Sequence, residues 1–128
     1  MTYDMYREII IDHYKDPHNF GIIKDADKSA NKKNPLCGDE MQITVKLDKK
    51  KKISDIKFTG AGCSVSRAGG SILTDIVKGK RISELKKYTD RQFIQDMGVP
   101  ITPARKKCAL LSLETLRKAL NITKPSVK

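Results

Sequence analysis

The stretch MQITVKLDKKKKISDIKF, residues 41–58, decides the fold. Apolar and polar residues alternate over 41–47, which is the period of a half-buried β-strand. A second, less regular apolar run follows at 53–58. Because the link at 48–52 is far too short for a helical crossover, we expect the two strands to pair as an antiparallel hairpin.

Helical patterns flank this hairpin on both sides, with apolar residues spaced three and four apart. The predicted helices cover residues 4–15, about 64–77, about 89–98 and 103–120, with another turn or two at 82–86.

Local signals set the ends of these helices. Ser64 or Ser66 is expected to cap the second helix. Thr89 and Gln92 form a capping box, with a hydrophobic staple from Tyr88 to Phe93. Thr102 precedes a proline at the first position of the last helix.

Residues 18–35 have no sustained period, so we expect irregular chain there with at most a short edge strand. The pattern as a whole predicts the α+β class, with a small antiparallel sheet packed against helices in one compact domain over 1–128. Since tryptophan is absent and aromatic residues are few, the core should consist of Ile, Leu and Val.

Lysine and arginine number 26 against 15 acidic residues, which gives a formal charge of +11. The densest basic run, Lys49–Lys52, falls in the predicted hairpin turn, where it is either a solvated turn or an electrostatic docking patch. No aromatic residues interleave with it, so we do not expect nucleic-acid binding. Without a visible signal peptide or membrane span, a cytoplasmic protein with reduced thiols is expected.

The three cysteines stand where predicted elements begin or end. Cys37 lies in a polar loop, Cys63 lies where a strand gives way to a helix, and Cys108 lies early in the last helix. A helix N-terminus favours a thiolate over a thiol, and Arg105 and Lys107 would do the same for Cys108. Alternatively, Cys37 is incidental and Cys108 is a small core residue.

The spacings of 26 and 45 residues between successive cysteines match neither a CxxC pair nor a zinc ribbon, so a joint site would have to be assembled by the fold. Asp39 offers an oxygen two residues after Cys37, although it could equally be a solvated turn residue. Three sulfurs and a carboxylate suit zinc or iron. We assign neither His13 nor His18 to a metal.

With these residues, the chain resembles the iron-sulfur cluster assembly scaffold family of IscU, SufU and the NifU N-terminal domain. The resemblance covers nearly all of residues 3–120. It rests on three motifs in the family's order: Asn34-Pro35-Leu36-Cys37-Gly38-Asp39, then Gly60-Ala61-Gly62-Cys63-Ser64 with Ala68-Gly69-Gly70-Ser71, then Pro103-Ala104-Arg105-Lys106-Lys107-Cys108-Ala109.

This resemblance implies a SufE/NifU-like fold with the three cysteines gathered at one exposed end. It implies that Cys37, Cys63 and Cys108 bind a transient [2Fe-2S] cluster, with zinc possible in its place, and that Asp39 joins or tunes the site. Cys37 and Cys108 are the candidate persulfide acceptors. Arg105 and Lys107 would stabilise the thiolate or persulfide.

The sequence departs from both main branches of the family. Lys107 stands where the IscU branch has a histidine, which resembles SufU, yet the interval from Cys63 to Cys108 is too short for the SufU insertion. Residues 101–105 align with the chaperone-binding segment of the IscU branch, but they share with it only one proline and the cationic end. This weighs against a dedicated chaperone.

We therefore expect a scaffold that assembles a cluster with sulfur from a cysteine desulfurase and passes it to recipient apo-proteins. Such a carrier is not an enzyme in the usual sense. The alternative is a zinc-dependent sulfurtransferase of the SufU kind that accepts sulfur from the desulfurase. In either case we expect a monomer or a weak homo-oligomer, with no nucleic-acid or membrane partner.

Overall fold

A computed structural model describes residues 3–34 and 38–125 of the chain. Within these residues the chain forms a three-stranded sheet and five α-helices, and the predicted α+β class is confirmed. The elements, in chain order, are α1 (Tyr3–Lys15), β1 (Lys28–Asn34), β2 (Asp39–Leu47), β3 (Ile53–Ala61), α2 (Ser64–Val77), α3 (Ile82–Leu85), α4 (Asp90–Asp96) and α5 (Lys106–Leu120). No helix in the described part of the chain is both long and apolar enough to cross a membrane.

The hairpin predicted from residues 41–58 is confirmed, and both strands extend further than the apolar pattern does. β2 and β3 pair antiparallel, with Ile43 opposite Phe58 and Glu40 opposite Ala61. In the link, the Asp48 carboxylate accepts N–H bonds from Lys50 and Lys52, at 2.8 and 2.9 Å. The connection is therefore a well-bonded turn.

The edge strand β1 is longer than the sequence indicated. It pairs antiparallel with β2 along its full length, from Lys28 opposite Val45 to Asn34 opposite Asp39. Most of its side chains are exposed or only half-buried. The expected edge strand is therefore present, and residues 21–27 before it form no helix or strand. The strand is longer than expected because pairing with β2, and not an apolar alternation of its own, defines it.

The core lies between one face of the sheet and the helices α2 and α5. Met41, Ile43 and Val45 point to that face, because alternate residues of a strand share a side. The expectation of a purely aliphatic core was too narrow, since Phe58 and Phe93 are also fully buried.

Two adjacent glycines let α2 approach both of its neighbours. A Cβ atom at Gly70 would lie 2.7 Å from the ring of Phe58, and a Cβ at Gly69 would lie 3.1 Å from the carbonyl oxygen of Ala109 on α5. Because real Cβ atoms do not come so close, larger residues would force α2 off the sheet or off α5. This close packing fixes where the first turns of α2 and α5 lie.

Two predicted helix starts differ in the structure. The N-cap of α2 is Cys63, rather than Ser64 or Ser66, and its side chain makes no capping hydrogen bond. The last helix opens with a 3-10 turn over Pro103–Arg105, and Thr102 makes no side-chain cap there. At both helix starts a suitable capping residue is present, but no side-chain capping hydrogen bond forms in the folded protein.

The capping box between Thr89 and Gln92 is confirmed, and the Tyr88 and Phe93 rings are 6.4 Å apart, as a staple requires. The helix that they begin ends at Asp96, slightly earlier than predicted.

A polar cluster attaches α1 and the turn after it to α2. The Ser71 hydroxyl is 2.7 Å from His13 Nδ1 and accepts the backbone N–H of His18 at 2.8 Å. Burial lowers the pKa of His13 below its ordinary value of 6.5, and the charge of nearby His18 lowers it further, while Asp75 and Asp12 act in the opposite direction. The neutral form of His13 is thus the one that fits the folded protein.

We expect the free energy of unfolding to fall as the pH is lowered from about 7 to about 5. The unfolded chain takes up a proton on His13 near its ordinary pKa, whereas the folded chain resists it, so acid favours the unfolded state in this window. Urea titrations at several pH values measure this slope. His13→Asn should flatten it, and an unchanged slope in that variant would refute the assignment.

Candidate metal centre

Three potential metal ligands meet at one end of the sheet. Asp39 is the first residue of β2, Cys63 is the N-cap of α2, and Cys108 is the third residue of α5. One carboxylate oxygen and the two sulfurs all lie within 4.8 Å of one another. Ligand atoms around a tetrahedral zinc are about 3.3–3.8 Å apart, so small side-chain rotations would bring these three onto one ion.

The position of Asp39 follows from the strand pattern. It lies on the same face of β2 as Met41 and Ile43, so its carboxylate points toward the helices and only 1% of the residue is exposed. Oδ1 accepts the backbone N–H of Cys63 at 2.9 Å, and the Cys63 thiol donates to Oδ2 at 3.4 Å. The alternative of a solvated turn residue was therefore wrong.

Gly62 makes room for that carboxylate. Its φ is +142°, which disfavours other residues, and a Cβ atom here would lie 2.1 Å from Asp39 Oδ1. Glycine next to Cys63 thus permits the close approach of the Asp39 side chain.

Cys63 is the half-buried member of the group. It stands at the N-terminus of α2, and both its thiol and its backbone N–H face the Asp39 carboxylate. The Ser66 hydroxyl lies 3.8 Å from its sulfur and donates to its backbone carbonyl oxygen at 3.0 Å. The sequence analysis considered Ser66 only as a possible helix cap. Because Ser66 lies three residues after Cys63, about one helical turn further on, its hydroxyl comes close to the sulfur and the carbonyl oxygen of Cys63.

Cys108 is only 4% exposed, so two of the three described ligands are shielded. The family resemblance implied an exposed end, and in the described residues that holds only for the half-buried Cys63. Arg105 and Lys107, which precede Cys108, are both exposed at the start of α5. Lys107 lines a hollow of about 170 Å³ that also includes Asn34 of β1.

The fold and these ligands can be compared with known proteins. The family model described as the NifU-like N terminal domain matches residues 5–125. The chain belongs to the NifU-like N-terminal domain family. Both a sulfurtransferase and scaffold proteins of this family are similar to it.

Among curated members, the zinc-dependent sulfurtransferase SufU of Bacillus subtilis is 38% identical, covering 91% of this chain and 89% of that protein. The iron-sulfur cluster assembly scaffold protein IscU 1 of Archaeoglobus fulgidus is 37% identical, covering 91% of this chain and 74% of that protein.

Among solved structures, a putative iron-sulfur cluster assembly scaffold protein for the SUF system from Fervidobacterium islandicum superimposes with a TM-score of 0.77 at 31% identity. That match covers 93% of this chain and 99% of the other.

The SufU and IscU 1 alignments differ in length. The match to SufU spans 133 aligned positions, but 91% of the 128 residues here is about 116, which leaves about 17 positions without a residue of this chain. The match to IscU 1 spans 116 positions, so it needs almost no such gap. The IscU protein of Streptococcus pyogenes, however, also aligns over 133 positions with 91% of this chain at 34% identity, so alignment length does not separate the IscU proteins from SufU.

Cys37, the remaining predicted ligand, lies outside the described residues. His13 and His18 bond to Ser71 and Asp75 at the contact between α1 and α2, and among the described residues neither belongs to the ligand group.

We expect Gly62→Ala to weaken metal binding, because the new methyl group would displace the Asp39 carboxylate. The loss should be about 10- to 100-fold in zinc affinity, the usual effect of disturbing groups that orient ligands. Competition with a chromophoric chelator measures it.

Gly21→Ala is a matched control. Gly21 has nearly the same φ, +143°, yet its Cβ would meet only the flexible Lys57 side chain at 3.5 Å. It should cost stability through backbone strain while leaving zinc affinity unchanged. Equal zinc affinity in the two variants would show that the contact between Gly62 and Asp39 does not control the site.

Proposed function

We propose that this single-domain protein is a scaffold on which an iron-sulfur cluster is assembled and from which it passes to recipient apo-proteins. The observation that carries the proposal is the convergence of Asp39, Cys63 and Cys108, whose ligand atoms lie within 4.8 Å of one another. Soft thiolates favour iron-sulfur clusters or zinc, and the hard carboxylate is the weakest partner for either. A site with one weak ligand can release what it holds.

Cys37 completes the proposed set of four. It directly precedes Gly38, whose N–H bonds to the Asn34 carbonyl at 2.8 Å, and Asp39 follows in β2. Two residues of chain span at most about 7 Å between Cα atoms, so the Cα of Cys37 cannot be far from that of Asp39. Chain connectivity thus supports a role for Cys37 as the third sulfur ligand of a [2Fe-2S] cargo.

The sulfur would come from a cysteine desulfurase as a persulfide. A thiolate of the scaffold attacks the outer sulfur, a new S–S bond forms, the old one breaks, and the desulfurase cysteine leaves as a thiolate. Conversion of that sulfur to cluster sulfide takes two further electrons from an external reductant. The exposed cations Arg105 and Lys107 would stabilise the anionic persulfide if it formed nearby.

Burial weighs against Cys108, one of the two candidate acceptors. The outer sulfur of a persulfide on another protein must reach the attacking thiolate, and Cys108 is 4% exposed. Its role as a first acceptor would require the start of α5 to move. We therefore propose Cys37 as the first acceptor and Cys108 as a ligand that completes the site afterwards.

A zinc-dependent sulfurtransferase is the second candidate, and one observation favours it. Two cysteines and an aspartate near one another, with a third cysteine close in sequence, also satisfy tetrahedral zinc, with zinc then a resident ion. The weak carboxylate ligand, which favours release of what the site holds, leads us to place the scaffold first.

The surroundings of the site are consistent with a protein partner. The net charge of +11 would favour docking to acidic surfaces on the desulfurase or on recipient proteins. We propose cytoplasmic action as a monomer or weak homo-oligomer, without a dedicated chaperone.

Anaerobic incubation with ferrous iron, cysteine, a desulfurase and a thiol reductant should give a brown protein with equal amounts of iron and acid-labile sulfide. Visible absorption and chemical analysis measure this. A protein that stays colourless, binds one zinc and still accelerates the desulfurase would establish the sulfurtransferase instead.

Asp39→Ala should lengthen the lifetime of the assembled cluster, because the labile oxygen ligand is removed. The measurement is the rate at which visible absorption decays in the presence of a chelator or an apo-ferredoxin. Asp27→Ala, at an exposed position outside the ligand group, is the control. A cluster in Asp39→Ala that decays as fast as the wild-type cluster would remove Asp39 from the release step.

Without iron, the desulfurase should add sulfur to the wild-type and Cys108→Ser proteins but not to Cys37→Ser. Intact-protein mass spectrometry of samples whose free thiols have been alkylated measures the extra sulfur. The reverse result, with sulfur retained in Cys37→Ser and lost in Cys108→Ser, would make Cys108 the first acceptor.

A further inference from the structure

A groove bordered by cations lies between the β2–β3 turn, α3 and the end of α5. Its volume is about 760 Å³. Its floor is apolar and consists of Leu47, Ile82, Leu120 and Ile122. Its rim carries five cations, Lys28, Lys50, Lys51, Arg81 and Lys86, and no acidic residue lines it. We call this surface the basic groove.

The basic groove lies at the opposite end of the sheet from the metal centre. β2 begins at Asp39 in the centre and ends at Leu47 in the groove, while α5 begins beside Cys108 and ends at Leu120. A nine-residue strand spans about 30 Å. A molecule in the groove would therefore not cover the metal centre.

The cations on the rim are not in ion pairs within the described part of the chain. Elsewhere, cations pair with acids, as Lys32 does with Glu114 and Lys78 does with Asp55. Across the described residues 3–34 and 38–125, none of the five rim cations takes part in an ion pair. In the part of the chain that the structure describes, two acids lie near these cations: Asp48 interacts with Lys50, and Glu84 bonds to the backbone N–H of Arg81. The groove therefore keeps an excess of positive charge around a partly buried apolar surface.

We infer that the basic groove binds an acidic peptide segment of a partner protein, with two or three aliphatic or aromatic side chains inserted on the floor. Carboxylates of the segment would face the separate cations of the rim. Charge complementarity would give rapid, specific docking, and the apolar anchors would supply most of the affinity.

The arrangement favours a peptide over other anionic molecules. A single phosphate is bound by donors that converge on it, whereas these cations are spread around the whole rim. No aromatic side chain lines the groove, so a nucleic acid would find no surface on which its bases could stack. The apolar residues lie on the floor of a concavity rather than on a projecting surface, so they cannot insert into a membrane.

The probe for this inference is a fluorescein-labelled peptide of about 14 residues, built from leucine and glutamate with leucines at i, i+3, i+4 and i+7. Binding is measured by anisotropy at roughly 0.1 M salt, and the site is mapped from amide shifts in ¹⁵N spectra. We expect saturable binding, with the largest shifts at residues 47, 82 and 120–122. A serine-and-glutamate peptide of equal charge should bind at least about tenfold more weakly.

Lys28→Glu/Lys86→Glu should weaken binding of the leucine peptide about tenfold or more. Lys24→Glu/Arg91→Glu is the control, since it changes the net charge equally at exposed positions that do not line the groove. Thermal melts of both variants check that each is folded. Cluster assembly should be unaffected in both, which separates this inference from the proposed function.

Three results would overturn the inference. One is an equal loss of binding in the two charge-reversal variants, which indicates attraction to the overall charge. Another is a pattern of shifts spread over the surface, or no binding of the peptide at millimolar concentration. The third is binding to phosphatidylglycerol vesicles that the groove variant loses, with no peptide binding, which would assign the surface to lipid.

Discussion

The contact between Asp39 and Cys63 is the interaction on which the site depends. Through it the first residue of β2 is bonded to the N-terminus of α2, with both the backbone N–H and the thiol of Cys63 directed at one carboxylate. A buried carboxylate is costly unless it is hydrogen-bonded, and the N–H group supplies that bond. Gly62 is required because any side chain there would occupy the carboxylate's place.

This contact suggests how the site changes when it is loaded. Metal ligation requires thiolates, so binding releases protons, and the Cys63 thiol can then no longer donate to Asp39. If Asp39 is a ligand, as we propose, the carboxylate oxygen that loses this donor would be the one available to the metal, while the other oxygen would keep the Cys63 N–H. The empty and loaded states would then use the same carboxylate.

The rest of the fold serves to hold the three ligand-bearing ends together. The glycines at 69 and 70 bring α2 against α5 and the sheet, so that Cys63 and Cys108 begin their helices side by side. The basic groove lies at the other end of the sheet, so the two candidate binding surfaces are separated by the length of β2. A partner there and a desulfurase at the cysteines could bind at once.

The parts of the fold that the sequence predicts are those with a local physical signal. Alternation identified β2 and β3, and residue types at helix ends identified the box at Thr89 and Gln92. β1 was predicted only as a possible short edge strand, because its pairing partner, and not its own pattern, makes it a strand. The N-cap at Cys63 was missed because serines nearby were better caps by type.

The ligand residues were identified from chemistry and family motifs, but their environment was not. The alternation that places Met41 and Ile43 on the buried face of β2 also places Asp39 there. The prediction missed this buried carboxylate because it began the strand at Met41, two residues after Asp39. The burial of Cys108 follows from packing between α5, α2 and the sheet, residues far apart in the chain, and no local pattern encodes it.

X-ray absorption at the zinc edge of the zinc-loaded protein tests the central claim most directly. The account predicts three sulfur ligands at about 2.3 Å and one oxygen at about 2.0 Å, with the sulfur shell preserved in Asp39→Ala. A first shell with two or fewer sulfurs, or one showing imidazole scattering from His13 or His18, would contradict it.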